Sequence, residues 1–381
     1  MNKLNKLNKF CILVLCFVNA QVFAVDLGVA KDYNIFVKGD FNHKGYSDSQ
    51  GKIAVGGDAN LDALDVAVNY EPNTSREGVQ FGQNNSAVSD VLVVQGDLTV
   101  KKYRVDNIKG NLVLGGSFFK GKTEIVSPND LAQGQNPVIN VGEIKNYDTN
   151  PINFNAAFDH LENLSTELSM LATTGDLVAK GDEWWTSTSQ FIFTPDSDFV
   201  NSDGTLVLNI TGEALKNATD FYATNIDAST PIIVNVSGTD VHFDSVNYHN
   251  ELAQNYTGDL KYQGAQKNIP SNIIYNFYEA ESVTMDHGGF YGHILAPKAD
   301  FTILGGDLSG QVIAKSWTSS GGQFNLWNGL YPSQEENLPA TAVPEPATAL
   351  LLLLAFVVLY RTKITQAIAT KIQHKRLAIA A

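Results

Sequence analysis

The sequence predicts a mainly β chain wound as a right-handed β-solenoid with coils of about 18–20 residues, one flanking α-helix at about 154–171 and a C-terminal transmembrane helix. Three observations predict it. From residue 25 to 333, short β-branched or aromatic runs alternate with Gly, Asn, Asp, Ser and Thr, the punctuation of many short strands. A glycine-centred pattern recurs within them at an interval close to one coil of stacked repeats. One stretch alone switches to the helical period.

The strand runs fall at 34–37, 52–55, 91–94, 111–114, 190–193, 205–210, 231–236, 273–277, 293–296, 301–304 and 311–314. Four of them end in related tetrads: Val37-Lys38-Gly39-Asp40, Val55-Gly56-Gly57-Asp58, Val94-Gln95-Gly96-Asp97 and Leu114-Gly115-Gly116-Ser117. Gly39 and Gly57 stand 18 apart and Gly96 and Gly116 stand 20 apart, while the interval of 39 between Gly57 and Gly96 reads as two such steps. Farther on, Tyr291-Gly292-His293-Ile294-Leu295-Ala296 is echoed by Ser309-Gly310-Gln311-Val312-Ile313-Ala314, again 18 apart. Glycine suits coil corners because close backbone approach and positive φ cost it little. In the helical stretch, Phe154, Phe158, Leu161, Leu164, Leu168 and Leu171 recur at steps of three and four, one apolar stripe. Such a helix is expected to lie along the flank of the coils and cover apolar side chains there.

The two ends read as address labels. Residues 1–24 carry Lys3, Lys6 and Lys9, an apolar run over 10–18, and small residues up to a cleavage point at Ala24, the layout of a secretory signal peptide for signal peptidase. At the other end a linker, 334–342, leads to Val343-Pro344-Glu345-Pro346, an apolar stretch over 347–360 and the basic flank Arg361 and Lys363. That order reads as a membrane helix with its C-terminus in the cytoplasm, followed by a basic tail at 364–381. Both cysteines of the 381 residues, Cys11 and Cys16, lie in the first label, so the exported part forms no disulfide. The formal charge of −14 also divides unevenly: the region between the labels holds 18 basic and 39 acidic residues, near −21. A phosphate backbone is repelled by such a surface, and no nucleic-acid partner is expected.

Two resemblances follow from these residues. Val343-Pro344-Glu345-Pro346, the apolar stretch and the basic flank resemble a PEP-CTERM sorting signal, which implies processing by an exosortase during export to the cell surface. The chain departs from that pattern by continuing to Ala381 with Lys371, His374, Lys375 and Arg376. Residues 26–331 are similar to the choice-of-anchor A domain. That similarity is carried by Asn34-Ile35-Phe36-Val37 with Gly39-Asp40-Phe41, by Ile53-Ala54-Val55-Gly56-Gly57-Asp58, and by the double motif at 290–297 and 308–315. It implies one β-helical adhesive module at 25–333 with no active-site residue to carry over.

Little in the sequence points to catalysis. No His pair flanks a Glu with metalloprotease spacing, and neither a Gly-x-Ser-x-Gly elbow nor a phosphate-binding glycine loop occurs. His287 and His293 read as surface or corner histidines, and the corner Asp residues as turn formers that bond their own backbone. No cofactor is expected; Ca²⁺ at acidic corners is the one ion the composition would admit. Trp184 and Trp185 beside Asp182 and Glu183, with Asp196 and Asp198, are the candidates for a glycan contact, since aromatic rings stack on sugar faces. Thr-x-Thr arrays that would form a flat ice-binding face are missing; Thr186-Ser187-Thr188 stands alone. The sequence therefore predicts a non-enzymatic surface or matrix protein whose ligand, polysaccharide or protein, is open. A polysaccharide lyase or hydrolase on the same fold and a structural envelope component are the alternatives.

Overall fold

In the computed structural model each coil lays down up to three short strands, and strands of neighbouring coils pair in parallel. The structure describes residues 25–68, 90–101, 106–125, 139–141, 143–149, 151–179, 190–195, 204–223, 230–244, 246–250, 272–326 and 330–331. All belong to the unit Met1–Ser333. Among them the fold is mainly β with few helices, and every expected strand run overlaps a strand. Residues 347–360 lie outside the described residues; within these no helix is long and apolar enough to cross a membrane.

The inward row of the first strands shows how the coils are ordered. In register it runs Ile144, Leu112, Leu92, Ile53, Ile35, Val312, Ile294, Tyr275, Val234 and Leu208. The first coil of the sequence therefore sits in the middle of the stack, against the last one. This corrects the expectation of a solenoid wound coil after coil in chain order. The long glycine interval is corrected as well: Gly96 donates its N–H to Gly57 O at 3.0 Å, so the two glycines are neighbours in adjacent coils. One coil there carries an insertion. Long offsets recur elsewhere, between Leu112 and Ile144 and between Asn235 and Asn276, because a coil tolerates extra residues at its corners.

A stack that starts in its middle must carry the chain from one end to the other, and α1 (Phe154–Ser169) covers the half of that path that runs from the first coil outward. Asn153 caps it, its side chain accepting the Ala156 N–H. Its sixteen residues span about 24 Å, roughly five coil steps of about 4.8 Å. The contacts advance accordingly. Phe154 and Phe158 stack on Phe36 at 5.1 and 5.5 Å, Lys38 pairs with Glu162 at 3.4 Å, Ser165 bonds Asn276 and Leu168 O accepts from Asn235. Thr174 then meets Val207 in the final coil.

This helix explains why the first strands are apolar on both sides. Ile35 and Val37 point into the central core, whereas Phe36 between them points to the helix. The same outward column continues through Val113, Val93, Ala54, Phe36, Ile313 and Leu295, all buried beneath the helix layer. It then turns to Asn276, Asn235 and Asn209, of which the first two serve the end of the helix. Asn276 Nδ2 donates to Ser165 O at 2.8 Å and Asn235 Nδ2 to Leu168 O at 3.0 Å, so late helical carbonyls find partners.

Where the first and last coils meet, a buried polar seam joins them. Asn34 Nδ2 donates to Gly310 O at 2.7 Å and Gln50 Nε2 to Asn325 Oδ1 at 2.8 Å, while Leu326 N–H returns to Gln50 Oε1. Gln311 donates to Tyr33 O and accepts the Tyr331 N–H at 2.7 Å. Groups from opposite ends of the coil region thus satisfy one another, which fixes the register of the closing junction.

Candidate binding face

The second strand of each coil forms a face whose outward side chains are polar except at Phe119. Its strands are Phe41–Lys44, Ala59–Leu61, Leu98–Val100, Phe118–Lys120, Asp240–Phe243 and Ser282–Met285, with the later parts of His293–Ile303 and Val312–Ser320. Inward residues alternate with outward ones along each: Phe41 is buried and Asn42 is not, Phe301 is buried and Thr302 is half-exposed. No described element packs over the outward side chains. At one end the antiparallel strand Thr123–Glu124 closes the face. At the other the short helix α2 (Gly212–Asn217), capped by Thr211, packs against Asp240–Phe243. Both devices blunt edges that would otherwise template aggregation.

Register aligns the outward residues into columns. The central one reads His242, Thr284, Thr302, Thr318, Asn42, Asn60, Thr99 and Phe119 across eight coils. Beside it runs Asp240, Ser282, Asp300 and Ser316. Asp300 Oδ1 accepts from Ser316 at 2.6 Å, and Lys315 Nζ lies 3.2 Å from the same carboxylate. Partial burial pushes the Asp300 carboxyl up, but the bonds from Ser316 and Lys315 outweigh it and hold the group below the usual range. In the central column Asn60 Nδ2 donates to Asn42 Oδ1 at 2.9 Å, an amide ladder between coils.

The corners that carry the glycine pattern are built to hold this spacing. Asp40 accepts the Asp58 N–H at 3.0 Å, Asp58 that of Asp97 at 2.8 Å, and Asp97 that of Ser117 at 2.7 Å. The aspartates thus bond the backbone of the next coil, not their own as the sequence suggested. A Cβ on Gly57 would stand 2.3 Å from Asp40 Oδ1 and one on Gly96 2.2 Å from Asp58 Oδ1, so only glycine admits the ladder.

The histidines divide. His293 is buried at a corner, where its Nδ1 accepts the Gln311 N–H at 3.1 Å and its ring meets Tyr331 edge-on; His287 is exposed. His43 lies beneath the polar face, Nδ1 2.7 Å from Ser319 Oγ and Nε2 2.8 Å from Gly45 O. Burial, the main cause, lowers its pKa below the ordinary 6.5 despite the Gly45 carbonyl and Asp62. Among the described residues no group of three or more His, Cys, Asp or Glu could hold a metal ion.

The candidate glycan residues Trp184 and Trp185, with Asp182, Glu183, Asp196 and Asp198, lie outside the described residues. So do Ala24, Val343, Pro344, Glu345, Pro346, Arg361 and Lys363. What sequence reasoning missed is the threonine column. Thr284, Thr302 and Thr318 each lie about one coil from the next along the chain, and only coil stacking makes them a row. The signal was present in the coil interval, not in a Thr-x-Thr string.

Solved structures similar to this chain include an ice-binding protein from the Antarctic ascomycete Antarctomyces psychrotrophicus, at 11% identity, with 80% of this chain and 98% of that one covered and a TM-score of 0.35. An ice-binding protein from an Antarctic biological consortium matches at 10% identity over 80% of this chain and 91% of that one, TM-score 0.35. One from an Arctic yeast matches at 14% identity over 84% of this chain and 98% of that one, TM-score 0.29. None of these similarities reaches the level at which a shared ligand follows. No curated protein matches the chain. A family model described as "Putative Ice-binding-like adhesive domain" matches residues 26–326, the whole stack of coils, and the chain belongs to that family.

Proposed function

We propose that this is an exported, non-catalytic surface protein that adheres to extended polymers through the polar face. The observation that carries the reading is the run of six hydroxyl and amide side chains in that column, Thr284, Thr302, Thr318, Asn42, Asn60 and Thr99, held in register and left uncovered by any described element. Each group contributes a weak contact, and a ligand that repeats along the column engages many at once. Ice is the competing surface, and the family description keeps it in view. Asp240, Asp300 and Lys44 flank the column with strongly hydrated charges, which suit a polar polymer better than a water lattice.

The test is retention of the purified chain on arrays of bacterial polysaccharides and matrix proteins, with ice-recrystallisation inhibition measured in parallel. Thr302→Arg with Thr318→Arg places two bulky cations in the column and is expected to reduce retention about tenfold or more. Unchanged retention overturns the role of this face, inhibition of recrystallisation without retention favours ice, and release of new reducing ends overturns the non-catalytic reading.

For export we propose cleavage after Ala24, then sorting of a choice-of-anchor A protein through Val343-Pro344-Glu345-Pro346, the apolar stretch and Arg361 with Lys363 by an exosortase. The support is the order of these elements in the sequence. The mass of the chain recovered from the cell surface should lack both 1–24 and the residues after the motif. A surface form that keeps the tail sinks the exosortase step, and a cytoplasmic location sinks export.

A further inference from the structure

The polar face is not uniform. Over the coils at 41–44, 59–62 and 98–101 it dips into a hollow of about 420 Å³. Its floor holds Asn42, Asn60 and Thr99 of the central column with the apolar Leu61 and Val100, and its wall Lys44, Asp62 and Lys101 of the next column outward. Asp62 is buried and its carboxylate is engaged, taking the Lys101 ammonium and the Gly45 N–H at 3.3 Å. Lys44 is exposed and has no carboxylate partner among the described residues. The hollow therefore holds one cation that its own carboxylate does not neutralise, in a region whose overall charge is near −21.

The floor has complementary valences. Because Asn60 donates to Asn42, one Asn42 amide group keeps its two N–H donors and the Asn60 carbonyl stays an acceptor. Thr99 adds a hydroxyl that does both. Sugar hydroxyls also donate and accept, and the coil step of about 4.8 Å is close to the advance of one pyranose along an extended chain. A carboxylate on that sugar would meet Lys44. The negative charge elsewhere acts weakly at this range, since it is screened beyond about 8 Å at physiological ionic strength.

We propose that this hollow is the subsite for a carboxylated sugar unit, a uronate, within a linear polysaccharide. The proposal rests on the adhesive reading of the polar face and narrows it to one ligand class. Titration calorimetry of the full chain with a galacturonate oligomer, and with a neutral glucan oligomer of equal length, tests it. The uronate should bind about tenfold more tightly than the neutral oligomer. Lys44→Gln should lower uronate affinity about tenfold, to the level at which the same variant binds the neutral oligomer, while Lys44→Arg retains the difference. Melting temperatures of both variants should match the parent, as Lys44 is exposed. Equal affinity for the two oligomers, or unaltered uronate binding by Lys44→Gln, overturns the proposal. If Thr302→Arg with Thr318→Arg abolishes matrix retention while Lys44→Gln changes nothing, the hollow is wrong and the adhesive face stands. If neither variant changes retention on any surface, both fall.

Discussion

The helix-covered face and the polar face are made by the same coils, with the same strand spacing and the same alternation of inward and outward residues, yet they meet opposite environments. On the first, the outward residues Phe36, Ala54, Val93 and Ile313 are apolar and α1 buries them. On the second, Asn42, Asn60, Thr99 and Thr318 occupy the equivalent outward column and stay in contact with water. A strand apolar on both sides needs a second layer, whereas one that alternates can face solvent. The chemistry of a single column thus decides which face is scaffold and which is available for binding.

The strongest way to break the contrast is to damage the covered face. Phe158 of α1 is fully buried against Phe36, and Phe158→Ala should lower unfolding free energy by about 3–5 kcal/mol in denaturant titration. A loss below about 1 kcal/mol would mean that the helix layer is dispensable.

A smaller effect probes the layer under the polar face. Burial holds the pKa of His43 in the folded state below 6.5, its ordinary value in the unfolded chain. The unfolded state then binds more protons below that pH, so stability is flat with respect to this group above 6.5 and falls as the pH drops below it. The slope contributed is at most about 1.4 kcal/mol per pH unit. His43→Gln should make the acid limb of the stability profile shallower below about pH 6.5; identical profiles for parent and variant would exclude His43 as a source of acid sensitivity. The smallest expected change is at the polar face itself. The Thr302→Arg, Thr318→Arg chain used for the adhesion test should unfold within about 0.5 kcal/mol of the parent, because these outward side chains pack against no second layer.

How much was legible follows from these same residues. The helix was readable because Phe154, Phe158, Leu161, Leu164 and Leu168 form a stripe whose period is local. The first strands were readable because both of their sides are apolar, so Ile35-Phe36-Val37 or Ile232-Ile233-Val234 stand out. Strands such as Ser47–Ser49 and Phe41–Lys44 were not, since their inward Ser and His are satisfied by groups from the far end of the coil region. The Asp ladder was half legible: the Gly-Asp recurrence marked corners, but the partner of each carboxylate lies one coil on.

By itself the sequence determined the mainly β character, the helix, the interval of the short coils, and the acidic, cysteine-free composition of the region from residue 25 onward that forms them. All of these depend on composition or on spacing within one strand or helix turn. Only the tertiary structure decided that the first coil packs on the last, that the stretch from Gly57 to Gly96 makes one coil and not two, and that threonines a whole coil apart form a row. Those facts rest on which strand edges pair, and parallel pairing joins residues whose separation along the chain is set by insertions at the corners, a quantity no local pattern encodes.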